Sequence, residues 1–413
     1  MTTVLLLDPE SSGADLLVEL QKRGATVTTW WQDIPFVLTA VDDTATPAAD
    51  LIRFVDANEF DHIVAGSESA VSAAEWLAAR RGLKSSNPDY IYHRRDKNAM
   101  IGRVGAAGIP TTSSHLVTNV DQVASLRSVM TLPVMIKPSS SAGSDLCRAV
   151  NTWADAASFT EEVLASRSTM GNKNAGAVIQ EYIVGPQFHV NTVVVDGRHH
   201  VTEVYSNHFR DVDGSPQLYA GRTYTPDEPG IEAVTKYAIA CAEALGASTG
   251  ATHIEVRLTS GGPRLIEFNG RLMGPTQPFD YFSDAQGFSQ ASIFADVLTG
   301  NTTAALHALS QSERSVLGFY MLTAARSGTL SQFDDTALRG LPSYKGVFKQ
   351  PTLGTSILLD NRTTDADLGL VFFAHPDRAQ VETDLVATAS LERQGLIHSV
   401  VPTELAEEYL IVR

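Results

Sequence analysis

Between His253 and Arg271 the chain alternates apolar and polar residues with a period of two, the pattern of a β-strand buried on one face. Even positions carry Ile254, Val256 and Leu258, then Ile266 and Phe268; odd positions carry His253, Glu255 and Arg257, then Leu265, Glu267, Asn269 and Arg271. Ser260-Gly261-Gly262-Pro263 breaks the alternation as a turn, and Arg264 is the one charged residue on the apolar side. Folding the hairpin about Gly261 sets Glu255 opposite Glu267 and His253 opposite Asn269. Two carboxylates across a ladder repel, and a divalent cation between them removes the repulsion. Two Glu and one Asn are hard oxygen donors, a set suited to Mg²⁺ shared with substrate phosphates. A solvated hairpin face is the plain alternative.

The first hundred residues alternate strand and helix patterns. Val4–Leu7, Thr26–Trp31 and His62–Ala65 read as strands; Ala14–Arg23, Leu51–Ala57 and Val71–Arg80 read as helices. This order predicts parallel strands joined by crossover helices. No Gly-x-Gly-x-x-Gly follows the first strand, so a dinucleotide fingerprint is absent. A further helix opens at Arg94-Arg95-Asp96-Lys97. Then come a strand, Val134-Met-Ile-Lys-Pro138, a small-residue loop, Ser139–Ser144, a helix over Trp153–Ser166 and a strand over Ala177–Ile183. Val190–Val195 and His199–Tyr205 flank Asp196-Gly197, a hairpin turn. Asn207–Pro229 is polar and rich in Gly and Pro, and reads as a long loop of the kind that tends to be functional. Ile231–Leu245 is an amphipathic helix. From about residue 300 a mixed α/β piece shows no catalytic constellation.

Composition narrows the function. The chain has 413 residues, enough for several cores, and a net charge of −16, which argues against nonspecific binding to nucleic acid or anionic membrane. Any polyanion must therefore be held by a few local cations or metal ions. Cys147 and Cys241 are the only cysteines and suggest neither disulfides nor zinc. With no signal peptide and no apolar run long enough to span a membrane, a cytoplasmic setting is expected.

Three further segments carry candidate chemistry. Lys137 ends an apolar strand beside Ser139–Ser144, whose small residues let backbone amides approach phosphate oxygens; it is not a Walker A loop. Gln180-Glu181-Tyr182-Ile183 ends a strand whose backbone can pair with an adenine edge. Lys97 follows Asp96 at a helix start.

Taken in order, Asp96-Lys97, Val134-Met-Ile-Lys137-Pro138, the small loop, Gln180-Glu-Tyr-Ile183 and Ile266-Glu267-Phe-Asn269-Gly-Arg271 resemble the ATP-grasp superfamily. Gly250-Ala-Thr-His-Ile-Glu-Val-Arg-Leu258 looks most like its L-amino-acid ligases of the bacilysin-synthetase kind. The resemblance implies an α/β ATP-grasp fold. It would comprise a Rossmann-like pre-ATP-grasp domain at 1–117, a small lid subdomain at 118–183, a large subdomain with the metal hairpin at 184–300 and a C-terminal α+β subdomain at 301–413.

It also implies ATP and Mg²⁺ (or Mn²⁺) as cofactors, with small carboxylate and amine substrates joined through an acyl phosphate. Lys97, Lys137, Ser140, Ser141, Gly143 and Ser144 would contact phosphates; Gln180, Glu181, Tyr182 and Ile183 would hold adenine. Gln187 stands where relatives often carry a ribose-binding Glu. Glu255, Glu267 and Asn269 match the metal ligands, and Arg271 the arginine that steadies the acyl phosphate. Either His208 or the departing phosphate would serve as the base, and His253, Arg257 and Arg210 are candidate substrate contacts. A homodimer is expected from relatives only. The competing readings are an ATP-grasp carboxylase of the biotin-carboxylase or purine-pathway type and a non-catalytic nucleotide-binding protein.

Overall fold

The computed structural model describes residues 1–38, 45–212, 214–274, 279–310, 314–358 and 368–402. The apolar run at the N-terminus forms the strand Thr3–Leu7, whose Val4, Leu5, Leu6 and Leu7 are wholly buried. It lies between Thr26–Trp30 and His62–Ala65 in a parallel sheet. A central parallel strand is covered on both faces, which is why its apolar residues are consecutive rather than alternating. The helices Ser12–Lys22, Ala49–Ala57 and Val71–Arg80 agree with the periodicity to within two residues. At Gly13 a Cβ would lie 2.5 Å from the Gly66 backbone, so the start of the helix after the first strand touches the loop after the third. That contact places Glu10–Ser12 beside Ser67–Ser69, at the carboxyl ends of the strands where open α/β sheets bind ligands.

A second sheet is antiparallel, in the order Ser114–Val117, Ala177–Glu181, Val134–Pro138, Arg148–Val150. Its inner face buries Val134, Ile136 and Ile179 against Phe159 and Val163 of the helix Trp153–Ala165. Thr152 caps that helix by accepting from the Asp155 amide at 3.1 Å.

The largest sheet has eight strands, ordered Gly262–Asn269, Ala251–Thr259, Gln187–Val195, Arg198–Val212, Ser215–Thr223, Val316–Met321, Leu370–His375, Tyr344–Phe348. It runs across position 300, so Val316–Met321, Leu370–His375 and Tyr344–Phe348 share a sheet with the hairpin of Ala251–Thr259 and Gly262–Asn269. The helix Ile231–Ala244 covers one face, packing Val234, Ala238 and Cys241 on Ile254, Val256, Leu265 and Phe268.

Two expectations are corrected here. Asn207–Pro229 is not a long loop: most of it continues one strand to Val212 and forms the next from Ser215. The turn has Gly214 at φ 81°, with its amide donating to Asp211 Oδ1 at 2.9 Å. The dipeptide Asp213-Gly214 was itself a hairpin signal; the polar residues around it obscured the alternation. The second correction is a β-bulge. Glu255 pairs with Glu267 and His253 with Asn269, as the alternation predicted, but Val256 pairs with Leu265. Ile266 is the extra residue. Beyond a bulge the faces exchange, so Leu265 joins the core while Arg264 comes opposite Arg257 on the polar face. One inserted residue accounts for both irregularities of the hairpin pattern.

The bulge makes a test. Leu265→Ala should cost about 2–5 kcal/mol, as buried Leu truncations do. Ile266→Ala, at a half-exposed residue beside the cavity, should cost well under half of that. Denaturant midpoints of the two variants measured side by side would check the register; equal losses would contradict it.

Candidate active site

Loops of the N-terminal sheet, the four-stranded sheet and the polar face of the hairpin surround a cavity of about 720 Å³. From the four-stranded sheet and its loop come Lys137, Ser141, Gly143, Ser144, Gln180, Glu181, Tyr182 and Ile183. From the large sheet come Gln187, His253, Glu255, Arg257, Glu267, Asn269 and Arg271; Lys97 enters from the start of its helix. Fifteen separately read residues and a sixteenth thus meet in one concavity although 174 positions part Lys97 from Arg271.

Each carboxylate of the facing pair is compensated differently. Glu267 receives an ion pair from Lys97, whose Nζ lies 2.8 Å from Oε1 and also donates to the Ser141 carbonyl at 2.8 Å. Lys97 is fixed because Asp96 caps its helix, accepting from the amides of Asn98 and Ala99 at 3.0 and 2.9 Å. Glu255 accepts from Gln187 Nε2 at 2.8 Å and has His253 Nε2 and His189 Nε2 at 3.5 and 3.7 Å. Burial opposes its ionisation, but the charge interactions of His189, His253 and Lys137 win and hold its pKa below the ordinary carboxylate value. Lys137 is buried, donates to the Ile266 carbonyl at 3.5 Å, and has its pKa pushed down by that burial. Arg257 bridges the adenine-strand end to the hairpin, donating to the Ile183 carbonyl at 3.0 Å and to Gln187 Oε1 at 2.5 Å.

Arg271 is held by a residue the sequence reading did not select. Glu68, on the loop after the third N-terminal strand, pairs with both Arg271 and Arg95. Burial alone would raise the Glu68 carboxyl; the two guanidinium charges outweigh it and lower the pKa to about 2. No local pattern marks this role, because Glu68 and Arg271 meet only through the packing of two separate sheets.

Glu255, Glu267 and Asn269 therefore supply hard oxygen donors from adjacent strands to one cavity, a set that fits Mg²⁺ or Mn²⁺. Three expected residues do not line it. His208 is exposed on its strand and lies 6.2 Å from the Tyr219 ring, and Arg210 donates to Thr323 Oγ1 at 2.5 Å. In a strand, alternate residues face opposite ways, and Phe209 is the one that reaches the cavity. Ser140 accepts instead from Arg95 Nη2 at 3.3 Å. Conversely, His189 lines the cavity; it stands two residues from Gln187 on the same strand face, a period-two signal that was readable. Lys349 also lines it, from the C-terminal piece in which no constellation was visible.

Comparison with known proteins bears on the fold that carries this site. A family model for the ATP-grasp domain matches residues 130–277. Dapdiamide A synthase of Enterobacter agglomerans is 30% identical over 238 residues, covering 57% of this chain and 56% of that protein. The L-arginine-specific L-amino acid ligase of Bacillus subtilis is 20% identical over 240 residues, covering 57% of each. The match thus spans little more than half the length of these relatives. Among solved structures, the L-amino acid ligase from Bacillus licheniformis superposes with a TM-score of 0.74 over 98% of this chain and 99% of that one, at 17% identity. The chain carries an ATP-grasp domain and has the ATP-grasp fold.

The Glu68 cluster yields a pH prediction. Because the folded pKa, about 2, lies below the ordinary 4.5, the stabilisation is complete above pH 4.5 and is lost as pH falls toward 2. Glu68→Gln should cost about 3–5 kcal/mol near neutrality, since it leaves the buried Arg95 and the part-buried Arg271 without their anion. The gap between its melting curve and that of the unaltered protein should close as pH is lowered through this window; a gap independent of pH would refute the assignment.

Proposed function

We propose that this ATP-grasp protein is an ATP- and Mg²⁺-dependent carboxylate–amine ligase that joins amino-acid-like substrates through an acyl phosphate and releases ADP and phosphate. The convergence of Lys97, Lys137, Glu255, Glu267, Asn269 and Arg271 on one cavity carries this reading. The names of the relatives, a dapdiamide synthase and L-amino acid ligases, support its substrate class.

The chemistry explains why such a set is needed. A carboxylate cannot be attacked productively by an amine, because oxide would have to leave. Attack of a carboxylate oxygen on the γ-phosphorus of ATP expels ADP and gives an acyl phosphate. Attack of the amine on the acyl carbon then forms the C–N bond and expels phosphate. The first step is governed by positioning and charge neutralisation. Lys137 and Lys97 would bind phosphate oxygens, and the backbone of the strand end at Gln180 to Ile183 would take the adenine edge. Mg²⁺ held by Glu255, Glu267 and Asn269 would neutralise phosphate charge.

Arg271 would stabilise charge on the migrating phosphoryl group and on the tetrahedral oxyanion, with Glu68 fixing its guanidinium. The attacking amine must lose a proton; the departing phosphate is formed at the reacting carbon and would accept it. We assign water exclusion to closure of the unit at 118–183 over the nucleotide. This division also takes 1–117 as the pre-domain, 184–300 as the large subdomain and 301–413 as the C-terminal piece.

Phosphate release screened over pairs of amino acids with Mg²⁺ and ATP tests the reaction. Release that requires both a carboxylate and an amine partner is expected; release driven by bicarbonate alone would favour a carboxylase. Glu267→Gln should abolish release while the melting curve stays close to that of the unaltered protein. Lys137→Met should weaken ATP binding by about tenfold to a hundredfold, the equivalent of roughly 1.5–3 kcal/mol for a charge-assisted contact; calorimetry showing unchanged affinity would remove Lys137 from the site.

Arg271→Lys separates catalysis from structure. A planar guanidinium suits an acyl phosphate better than the point charge of lysine. If the contact strengthens in the transition state, kcat should fall far more than KM for ATP rises. A normal kcat would reject the role.

A further inference from the structure

Beside the facing carboxylates lies a group of donors of which the ligase chemistry uses only Glu255. His189, His253 and Glu255 each present a ligand-capable atom, and these atoms lie within 4.8 Å of one another. His189 and His253 are 7% and 4% exposed, and their rings meet edge to face with centroids 4.6 Å apart. All three residues line the main cavity.

The two imidazoles are in different states of satisfaction. His253 Nδ1 lies 2.9 Å from Asn191 Oδ1. The orientation of that amide is set on its other side, where Asn191 Nδ2 donates to Glu203 Oε2 at 3.4 Å. Asn191 Oδ1 is thus the acceptor, and His253 Nδ1 carries the proton. When an ion binds, the lone pair of His253 is then on Nε2, which lies 3.5 Å from Glu255 Oε1. Glu203 is itself fixed by Thr202 Oγ1 at 2.6 Å and Gln286 Nε2 at 3.3 Å. A carboxylate–amide chain that fixes one imidazole nitrogen and frees the other is the arrangement by which proteins orient metal-binding histidines. His189 Nε2, by contrast, is buried without a hydrogen-bond partner among the described residues, 3.7 Å from Glu255 Oε2. A buried polar atom left unpaired costs free energy, and a bound ion is one of the few reasons for a fold to keep it.

We propose that His189, His253 and Glu255 bind a first-row divalent transition ion such as Zn²⁺, Co²⁺ or Mn²⁺, at a position distinct in its donors from the oxygen set Glu255, Glu267 and Asn269. Metal–ligand bonds of about 2.0–2.2 Å place tetrahedral donors roughly 3.3–3.6 Å apart; His253 lies 3.5 Å from Oε1 and His189 3.7 Å from Oε2 of Glu255, and an ion would draw the three donors in from their span of 4.8 Å. Two imidazoles and one carboxylate select borderline ions over Mg²⁺, which takes oxygen and water. The open side of the triad faces the cavity, so a fourth position is left for water or substrate. Glu255 belongs to both donor sets, which couples the transition-ion site to the nucleotide site. The inference does not depend on the ligase reading, because the triad needs no nucleotide.

Titration of the metal-stripped full chain with Co²⁺, in the absence of nucleotide, is the test. The unaltered protein should bind one equivalent with the visible d–d bands of a low-coordinate nitrogen-containing site. His189→Gln and His253→Gln should lose the bands. Asn191→Ala, which frees the His253 ring, should weaken binding by about tenfold to a hundredfold. Glu267→Gln should keep the bands, since it alters only the oxygen set. The proposal is overturned if the unaltered protein shows no bands, a result that needs no variant to fold. It is equally overturned if His189→Gln binds Co²⁺ unchanged, or if Glu267→Gln abolishes the bands. Phosphate release by the same metal-stripped protein with Mg²⁺ and ATP reports on the ligase reading alone, so either idea can fail without the other.

Discussion

Two carboxylates face each other across one rung of a β-ladder, and charges drawn from several parts of the chain compensate for them. Glu255 and Glu267 would repel if left alone. The helix that begins after Asp96 brings Lys97 to Glu267, and the neighbouring strand brings Gln187 and His189 to Glu255. The four-stranded sheet adds Lys137. The concentration of negative charge therefore depends on the packing of separate elements, and none of these neighbours is near the hairpin in sequence. Such a pair is poorly suited to a purely structural role, because apolar residues would occupy the same rung at lower electrostatic cost.

Arg271 is organised in the same way from a different direction. Its partner Glu68 sits on a loop of the N-terminal parallel sheet, and Glu68 also binds Arg95. Close contact of Gly13 with Gly66 fixes that loop against the start of the helix after the first strand. The N-terminal sheet thus positions Arg271, and in the proposed reaction this cation would be in place before any substrate arrives. Preorganised charge of this kind avoids reorganisation during reaction, which is where enzymes gain most.

The hairpin bulge links packing to the cavity. By inserting Ile266 it lets Leu265 complete the apolar layer under the helix Ile231–Ala244 while Glu267 and Asn269 keep their places opposite Glu255 and His253. It also leaves the Ile266 carbonyl within reach of Lys137. A strict two-residue alternation through the whole hairpin could not have met both demands, since Leu265 would have pointed into the polar face.

Much of this was legible in the chain itself. Local periodicity is a short-range property, so the parallel strands, their helices and the register of Glu255 with Glu267 followed from spacing and turn residues alone. The order of Lys97, Lys137, Gln180 to Ile183 and the hairpin pointed to the ATP-grasp fold for the same reason: each motif is contiguous. What only the tertiary structure decided is whatever depends on residues distant in sequence. The pairing of Glu68 with Arg271 arises from two sheets packing together, while the triad of His189, His253 and Glu255 and the arrival of Lys349 in the cavity follow from the order in which distant strands join one sheet, and no pattern along the chain encodes such a distance. His208 and Arg210 show the converse. Their chemistry suited the site, but they lie in a strand, and its pleat sets their neighbour Phe209 toward the cavity and leaves them away from it.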